Sequence, residues 1–176
     1  NEMAKFSFGR EIVCSQSEQI ERKSVSVVSD VPITIYGINS IETSSDMFSA
    51  IPVKNWGTEY VVMSYPNDIY RGYSDVPVDQ ATTPRRSEFA VVSDYDGTVV
   101  TITPKVETSA GKPAGVPFNI TLDKGQTYLV QSGNVQEGGD LTGSIVRSTK
   151  PCGVFSGHVR TGVYQTLPYP WASKDH

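Results

Sequence analysis

The stretch Glu88-Phe-Ala-Val-Val-Ser-Asp-Tyr95, Asp96-Gly97, Thr98-Val-Val-Thr-Ile-Thr103 decides the fold of this chain. Both flanking runs are rich in the β-branched and aromatic residues that favour strands, and Pro104 ends the second run. Asp-Gly between two such runs is a strong hairpin signal, because a type I′ turn requires positive φ at both central residues. The stretch therefore predicts a β-hairpin with its turn at Asp96-Gly97.

The same pattern of short alternating runs continues on both sides of this stretch. Further strands are predicted at 24–28, 33–36, 59–65, 118–122, 126–130, 144–147 and 152–156. Many short strands separated by turns rich in glycine and proline are typical of an all-β domain. We predict an all-β, antiparallel β-sandwich-like module, with a β-propeller-like arrangement as the alternative.

An internal repeat is indicated by two copies of the pattern Ser-x-x-Pro followed by a β-type run. The copies are Ser29-Asp-Val-Pro32 and Ser148-Thr-Lys-Pro151, and each follows an alternating run. Self-similarity of this kind is the sequence signature of repeat proteins. We expect one all-β module over 1–176, a fragment of a longer repeat protein, with repeat units at about 23–142 and 143–176, the second incomplete.

Composition and charge exclude several classes of partner. The 176 residues include 15 Lys and Arg and 19 Asp and Glu, which gives a formal net charge of −4. An acidic chain without a basic run is poorly suited to bind nucleic acid. No apolar run approaches the length of about 20 residues that a membrane-spanning helix needs. A low share of charged residues with abundant Ser, Thr, Gly and Pro is typical of an extracellular all-β module.

Several segments of the chain resemble a known family. They are Ser29-Asp-Val-Pro-Ile-Thr-Ile-Tyr-Gly-Ile-Asn39, Trp56-Gly-Thr-Glu-Tyr-Val-Val-Met-Ser-Tyr65, Val99-Val-Thr-Ile-Thr-Pro104, Thr121-Leu-Asp-Lys-Gly-Gln-Thr-Tyr128, Asp140-Leu-Thr-Gly-Ser144 and Lys150-Pro-Cys-Gly-Val-Phe-Ser-Gly-His158. From about Lys23 onward the chain resembles the IgG Fc-binding protein N-terminal domain family, a module of large secreted mucus proteins and other surface proteins. The resemblance implies an extracellular binding domain and brings no catalytic motif.

Two residue patterns predict covalent modifications. The chain has two cysteines, Cys14 and Cys152. An even count in a secreted chain favours a mutual disulfide, while pairing outside this chain or a buried Cys152 thiol are the alternatives. Asn119-Ile-Thr121 is a sequon for N-glycosylation, although it falls in a predicted strand.

Aromatic residues are the candidates for ligand contacts. A platform on which sugar rings stack is predicted from six aromatic residues: Tyr65, Tyr70, Tyr73, Tyr95, Trp56 and Trp171. Of these, Tyr65, Tyr70, Tyr73 and Trp171 are the predicted ligand contacts. The plain alternative is that such tyrosines fill the edge of the core and point their hydroxyls to solvent. The stretch Asn67–Arg86 is the longest without regular periodicity, which predicts a functional or mobile loop.

Candidate chemical sites are weak throughout the chain. Asp94-Tyr-Asp96-Gly97 has two carboxylates suited to calcium, but the later acidic ligands of an EF-hand are missing. Ser156 and His158 share a strand face, but the spacing of a nucleophile elbow and an orienting acid are absent. His158, Asp175 and His176 offer too few nitrogen or sulfur ligands for a zinc site. We therefore predict no catalytic residue, no metal site and no cofactor.

These observations favour a non-catalytic extracellular binding or adhesion module of a mucus, matrix or cell-surface protein. The alternative is a carbohydrate-binding module of a larger secreted protein. The expected partners are an extracellular protein or glycan and adjacent repeats of the same chain, and the expected location is outside the cell or on its surface.

Overall fold

The computed structural model describes residues 3–41, 44–69, 84–133, 139–158, 161–162 and 174–175. Its strands are β1 (Ile20–Glu21), β2 (Tyr36–Ile41), β3 (Ser44–Ser49), β4 (Gly57–Val61), β5 (Asp68–Ile69), β6 (Pro84–Arg85), β7 (Ser87–Ser93), β8 (Thr98–Thr103), β9 (Phe118–Leu122), β10 (Thr127–Gln131), β11 (Ile145–His158), β12 (Thr161–Gly162) and β13 (Lys174–Asp175). Two short 3₁₀ turns, Arg10–Ile12 and Val53–Asn55, complete the elements of these ranges. All pairings between these strands are antiparallel. The predicted all-β, antiparallel class is confirmed.

The main sheet has seven strands and is organised around the long strand β11. Its order is β1-β10-β7-β11-β8-β9, and β4 also pairs with β11. Residues 145–148 of β11 pair with β8, and residues 152–158 pair with β7. The register of β11 against β4 shifts between Arg147 and Cys152. The two halves of β11 thus belong to two layers: β1, β10 and β7 on one side, and β4, β8 and β9 on the other.

The core lies between these two layers, as the sandwich-like prediction requires. The strands β7 and β8 each bury alternate residues, because successive side chains of a strand point to opposite faces. The buried hydrophobic cluster contains Phe89, Val91 and Val130 from one layer and Val100, Ile102 and Leu122 from the other, together with Val62, Tyr128, Leu141, Val146 and Cys152. Full burial of one such apolar side chain stabilises the fold by about 1.5–3 kcal/mol.

The predicted hairpin at Asp96-Gly97 is wrong in its pairing. The strands β7 and β8 are not neighbours in the sheet; each pairs with a different half of β11. The turn is present, with Gly97 at a φ of 61°, but it carries the chain from one layer to the other. Inside this turn the buried hydroxyls of Ser93 and Thr98 lie 2.8 Å apart and share a hydrogen bond. Turn residues indicate only that the chain reverses direction. Which strands become neighbours depends on how the apolar faces of the strands are buried in the whole fold.

The other strand predictions have mixed outcomes. The strand predicted at 118–122 coincides with β9, that at 126–130 corresponds to β10, and those at 144–147 and 152–156 lie within the single strand β11. The strand predicted at 59–65 is found at 57–61, and the one predicted at 33–36 begins only at Tyr36. The strand predicted at 24–28 is wrong, because the structure, over the ranges it describes, forms no strand at these residues. The two copies of the Ser-x-x-Pro pattern therefore differ in local structure, and the internal repeat stays a prediction.

The outer face of the β10–β7–β11 layer is partly covered by earlier parts of the chain, and Phe155 on it stays 48% exposed. Leu129 on β10 is only 5% exposed. The ring of Trp56 lies over Gly153, so closely that a Cβ placed on this glycine would be 3.1 Å from the indole. Phe48 of β3 packs edge-to-face against Phe155 of β11, with ring centroids 5.5 Å apart. We call this apolar side of the sheet the covered face.

The N-terminal segment is attached along the edge of β10. The backbone N–H of Glu18 donates to the carbonyl oxygen of Leu129 over 2.7 Å, and β1 continues the pairing with β10. The carboxylate of Glu18 accepts hydrogen bonds from the Thr108 hydroxyl at 2.8 Å and the Ala110 N–H at 2.7 Å. Burial raises the pKa of the Tyr128 hydroxyl to about 12, and the negative charge of Glu18 is the smaller cause of the same shift. The segment closes the open edge of β10 and ties it to the loop after β8.

Candidate ligand-binding end

Polar side chains gather at the end of the sandwich where β7 begins and where β10 and β11 end. We call it the Ser87 end and define it by Ser64, Tyr65, Asn67, Ser87, Ser132 and His158. His158, the last residue of β11, lies opposite Ser87 in the strand register. Ser132 follows the last residue of β10, and Asn67 precedes β5. Four segments distant in sequence therefore meet at this end.

Asn67 links three of these segments. Its side chain is 3% exposed, and its Oδ1 accepts hydrogen bonds from the backbone N–H of Ser87 and the hydroxyl of Ser132, each at 2.6 Å. Its own backbone N–H donates to the carbonyl oxygen of Gly139 over 2.7 Å. Buried polar groups of this kind stabilise a fold only when they are paired, so the amide fixes the relative positions of the segments.

A chain of hydroxyl hydrogen bonds adds a fourth segment to the Ser87 end. The Ser64 Oγ lies 2.7 Å from the carbonyl oxygen of Gly157 and 2.8 Å from the Ser87 Oγ. Because a carbonyl only accepts, the Ser64 hydroxyl donates to Gly157, and the Ser87 hydroxyl then donates to Ser64. The Ser87 Oγ in turn accepts the backbone N–H of Leu141 at 2.9 Å. The base of this end is therefore held by a continuous network.

Tyr65 lies at the rim of this end. Its ring meets that of His158 edge-to-face, with centroids 6.5 Å apart and an interplanar angle of 84°. His158 is 7% exposed, whereas Tyr65 is half-buried. The contact with the buried His158 ring holds the Tyr65 ring in place, and the part of the Tyr65 ring that is not buried faces solvent.

Glu88 flanks this end on the outer side of β7. Burial raises the pKa of its carboxyl above the usual value, while the hydrogen bond from Gln131 acts in the opposite direction. That bond runs from the Gln131 Nε2 to the Glu88 Oε2 over 2.7 Å. The carboxylate is thus a desolvated acceptor with a side-chain amide as its donor.

The opposite end of the sandwich is built differently, from two tight turns that bond to each other. Asp123 accepts the backbone N–H of Gly97, and Asp96 accepts that of Lys124, each at 2.9 Å. The Lys124 ammonium lies 3.1 Å from the Asp94 carboxylate. These carboxylates hold the two turns together, a role that the calcium-loop interpretation did not include. Within the described ranges, no group of three or more His, Cys, Asp or Glu is placed to hold a metal ion.

Of the four aromatic residues predicted to contact a ligand, the structure describes one. Tyr65 lies at the Ser87 end, while Tyr70, Tyr73 and Trp171 lie outside the described residues. The two other members of the predicted platform are described: Tyr95 lies in the turn after β7, and Trp56 lies over Gly153. Most of the stretch 67–86 that was predicted to be a functional loop is likewise outside them, although Asn67 and Arg86 are both at this end. The hydroxyl and amide side chains of the network were missed by sequence reasoning, because isolated serines and asparagines form no motif.

The pair Ser156 and His158 has the predicted shared face but different surroundings. In the register of β11 against β7, Ser156 lies opposite Phe89 and His158 opposite Ser87, so both point to the same side. Ser156 is exposed and His158 is buried. The two other residues of the zinc interpretation cannot be placed beside His158, because the structure describes neither His176 nor the side chain of Asp175. The sequence alone had already argued against a zinc site.

The two cysteines are free thiols in this structure, on opposite sides of the sheet. Cys152 belongs to the buried core cluster, and burial raises the pKa of its thiol. The Cys14 Sγ lies 3.5 Å from the hydroxyl of Thr127, whose neighbour Tyr128 points into the core, so Thr127 faces outward. The structure therefore has no disulfide between Cys14 and Cys152. The disulfide stays a prediction, and the placement of the two thiols on opposite sides of the sheet argues against it.

Among the residues that the structure describes, there is no helix that could span a lipid bilayer.

The fold and the Ser87 end together define an all-β module in which separate segments are fixed at one end of a sandwich. The chain belongs to the IgGFc-binding family: the family model described as IgGFc binding protein matches residues 46–176. It is 32% identical over 143 residues to the human IgGFc-binding protein, an alignment covering 80% of this chain. The match spans only 2% of that much longer relative. No solved structure matches significantly. The resemblance identified in the sequence is confirmed.

Proposed function

We propose that this chain is a non-catalytic binding module of a secreted or cell-surface protein, and that its ligand is an extracellular protein. The observation that carries the proposal is the match of residues 46–176 to the IgGFc-binding family. The human relative is called an IgGFc-binding protein. Its name makes the Fc region of immunoglobulin G the first ligand to test on this chain.

The Ser87 end is the surface that the geometry favours for ligand binding. Asn67, Ser87 and Ser64 fix the segments there through buried hydrogen bonds, so little conformational entropy would be lost on binding. The opposite end uses its carboxylates to join its own turns. In sandwich domains, recognition is commonly carried by the loops at one end, because the scaffold fixes their bases.

Tyr65 is the residue proposed to anchor the ligand. Tyrosine contributes a large contact area with few rotatable bonds, and aromatic anchors dominate many protein interfaces. Tyr65 is half-buried against His158, which limits its motion before a ligand arrives. Truncation of such an anchor commonly costs at least about 1–2 kcal/mol of binding free energy.

Ser156 and His158 are the two residues of the chain that best resemble a catalytic pair, and their positions support a binding role rather than catalysis. Ser156 is exposed on β11, while His158 is buried two positions later against Tyr65. A serine nucleophile needs its base within hydrogen-bond reach and an orienting group behind that base. Ser156 and His158 thus have different surroundings, one at the surface and the other within the buried Ser87 end.

A role in mucus, matrix or cell adhesion is part of the proposal. It is supported by the composition of the chain and by the great length of the human relative. In a long protein such a module would also contact neighbouring units of the same chain.

Biolayer interferometry with immobilised Fc tests the proposed function. The matched control is the Fab fragment of the same antibody, which shares the immunoglobulin fold but lacks the Fc surface. We expect saturable binding to Fc and none to Fab. Absence of binding to Fc at any accessible concentration would remove Fc as the ligand of this module.

The carbohydrate-binding alternative rests on Tyr65, the one predicted ligand contact that the structure describes. A glycan array probed with the wild-type chain and with Tyr65→Ala separates the two proposals. A sugar signal that Tyr65→Ala abolishes, together with no Fc binding, would favour the carbohydrate-binding module. A blank array with Fc binding would favour the protein-binding module.

A further inference from the structure

The sequon Asn119-Ile-Thr121 lies on the strand at one end of the main sheet. It is the only Asn-x-Ser/Thr sequence in the 176 residues. The strand order ends with β9, so within the described ranges no strand pairs with its outer edge. Asn119 and Thr121 are both exposed, whereas Leu122 is fully buried and Phe118 and Ile120 pack against the core. The alternation of the strand therefore places both sequon side chains on its solvent face.

The amide of Asn119 is oriented by a neighbour on β8. The hydroxyl of Thr101, its partner in the strand register, donates to the Asn119 Oδ1 over 2.8 Å. This bond uses the oxygen of the amide and leaves the Nδ2, the atom to which an N-linked sugar is joined, outside it. The geometry therefore holds the acceptor nitrogen away from the sheet on an exposed face.

The surroundings of Asn119 are polar, in contrast to the covered face. Thr101 lies opposite Arg147 of β11, and Arg147 lies opposite Glu59 of β4. The Arg147 guanidinium pairs with the Glu59 carboxylate at 2.5 Å, and both side chains are 60% exposed. A row of polar groups thus crosses β9, β8, β11 and β4, which we call the polar face.

We propose that Asn119 carries an N-linked glycan and that the polar face is the glycan-bearing side of the module. The proposal rests on the proposed extracellular function, since the modification needs passage through the endoplasmic reticulum. The donor there is a lipid diphosphate-linked oligosaccharide. The bond between its first sugar carbon and the phosphate oxygen breaks, a bond from that carbon to the Asn119 Nδ2 forms, the nitrogen loses one proton, and the lipid diphosphate leaves with the electron pair.

A glycan on this face restricts where partners bind. It would cover the open edge of β9, which otherwise presents unpaired backbone groups to other strands. It would also keep protein partners off the polar face, because a branched oligosaccharide is bulky and strongly hydrated. None of the residues that define the Ser87 end lies on β9 or on its neighbour β8, so we expect the glycan to leave that end free.

The test is expression of the full chain through the secretory pathway of cultured animal cells, with a signal peptide directing entry. Intact mass spectrometry, before and after treatment with peptide-N-glycosidase, is applied to the chain from the medium and from the cells. We expect a heterogeneous added mass that the enzyme removes, leaving aspartate at position 119. Thr121→Ala should abolish the added mass, Thr121→Ser should keep it, and Asn39→Gln, outside any sequon, should leave it unchanged.

An unmodified chain in both fractions would overturn the proposal. Added mass that survives Thr121→Ala would overturn it too, because another residue would then be modified. Fc binding is measured on the same samples before and after deglycosylation, so failure of the proposed function is seen separately. Unchanged Fc binding supports the assignment of the polar face to the glycan, and binding gained on deglycosylation contradicts it.

Discussion

Replacement of Asn67 by alanine tests the network that supports the Ser87 end. The Asn67 Oδ1 accepts two hydrogen bonds of 2.6 Å, from the backbone N–H of Ser87 and the hydroxyl of Ser132. Loss of this acceptor leaves a buried backbone N–H without its partner, at a cost of about 1–3 kcal/mol, and removal of the second bond adds about 0.5–1.5 kcal/mol. We expect Asn67→Ala to lower the free energy of unfolding by about 2–4 kcal/mol.

Equilibrium unfolding in urea, followed by tryptophan fluorescence and circular dichroism, measures this loss. For a domain of this size the denaturant slope is about 2 kcal/mol per M, so the midpoint should fall by about 1–2 M at constant slope. Ser132→Ala and the double variant complete a double-mutant cycle. Because both substitutions remove the same hydrogen bond, we expect a coupling energy of about 1 kcal/mol between them.

The control is Asn39→Ala, the same substitution at an exposed position of β2, which should change stability by less than about 0.5 kcal/mol. Equal effects of Asn67→Ala and Asn39→Ala would refute the claim that a buried amide fixes the Ser87 end. Strict additivity of Asn67→Ala and Ser132→Ala would refute the hydrogen bond between them.

Three further predictions concern other parts of the fold. Because burial raises the pKa of Glu88 above 4.5, the folded chain holds a proton that the unfolded chain releases, so stability falls as pH rises through that window. Glu88→Gln has no carboxyl to titrate, so the thermal midpoint of the variant should rise relative to that of the wild type as the pH is raised above 4.5. A difference between the two midpoints that stays constant with pH would disprove this. Gly153→Ala should cost about 1–3 kcal/mol in urea unfolding, because its Cβ would meet a valine methyl at 2.9 Å, whereas Gly157→Ala has nothing within 4 Å and should cost less; equal costs would contradict this. Mass spectrometry after thiol alkylation should find Cys14 labelled in the native chain and Cys152 only after unfolding, while an intact mass showing a mutual disulfide would reject the arrangement.

Alternation of residue types was sufficient to predict the class of the fold and most strands of the core. The alternation in 87–93, 98–103 and 118–122 reports which side chains are buried, and burial is what the sequence encodes most directly. The partner of each strand was not encoded locally. Asp96-Gly97 signalled a turn correctly, but the long strand β11, some fifty residues later, inserts between its two flanks.

In the segment 24–28, alternation predicted a strand that does not form. Its valines alternate with serines as in a half-buried strand, yet Val25, Val27 and Val28 are exposed. Alternation makes a segment competent to pair but does not supply a partner strand.

Most residues of the Ser87 end could not be predicted from the sequence, because their contacts join segments that are far apart in the chain. Asn67 bonds to residues 20 and 65 positions away, and neither contact follows a recognised spacing. Serine and asparagine are common in turns, so their burial is set by the tertiary fold alone. Tyr65 was found because a large aromatic residue next to a loop stands out in any context.

The most direct test of the account compares Fc binding by two tyrosine variants. Tyr65 lies at the Ser87 end, and Tyr95 lies in the turn at the opposite end, where it is 39% exposed. With surface plasmon resonance on immobilised Fc, we expect Tyr65→Ala to weaken binding by about tenfold or more, and Tyr95→Ala to bind like the wild type. Equal affinities of the two variants, or loss of binding in Tyr95→Ala alone, would contradict the assignment of the Ser87 end as the ligand-binding surface.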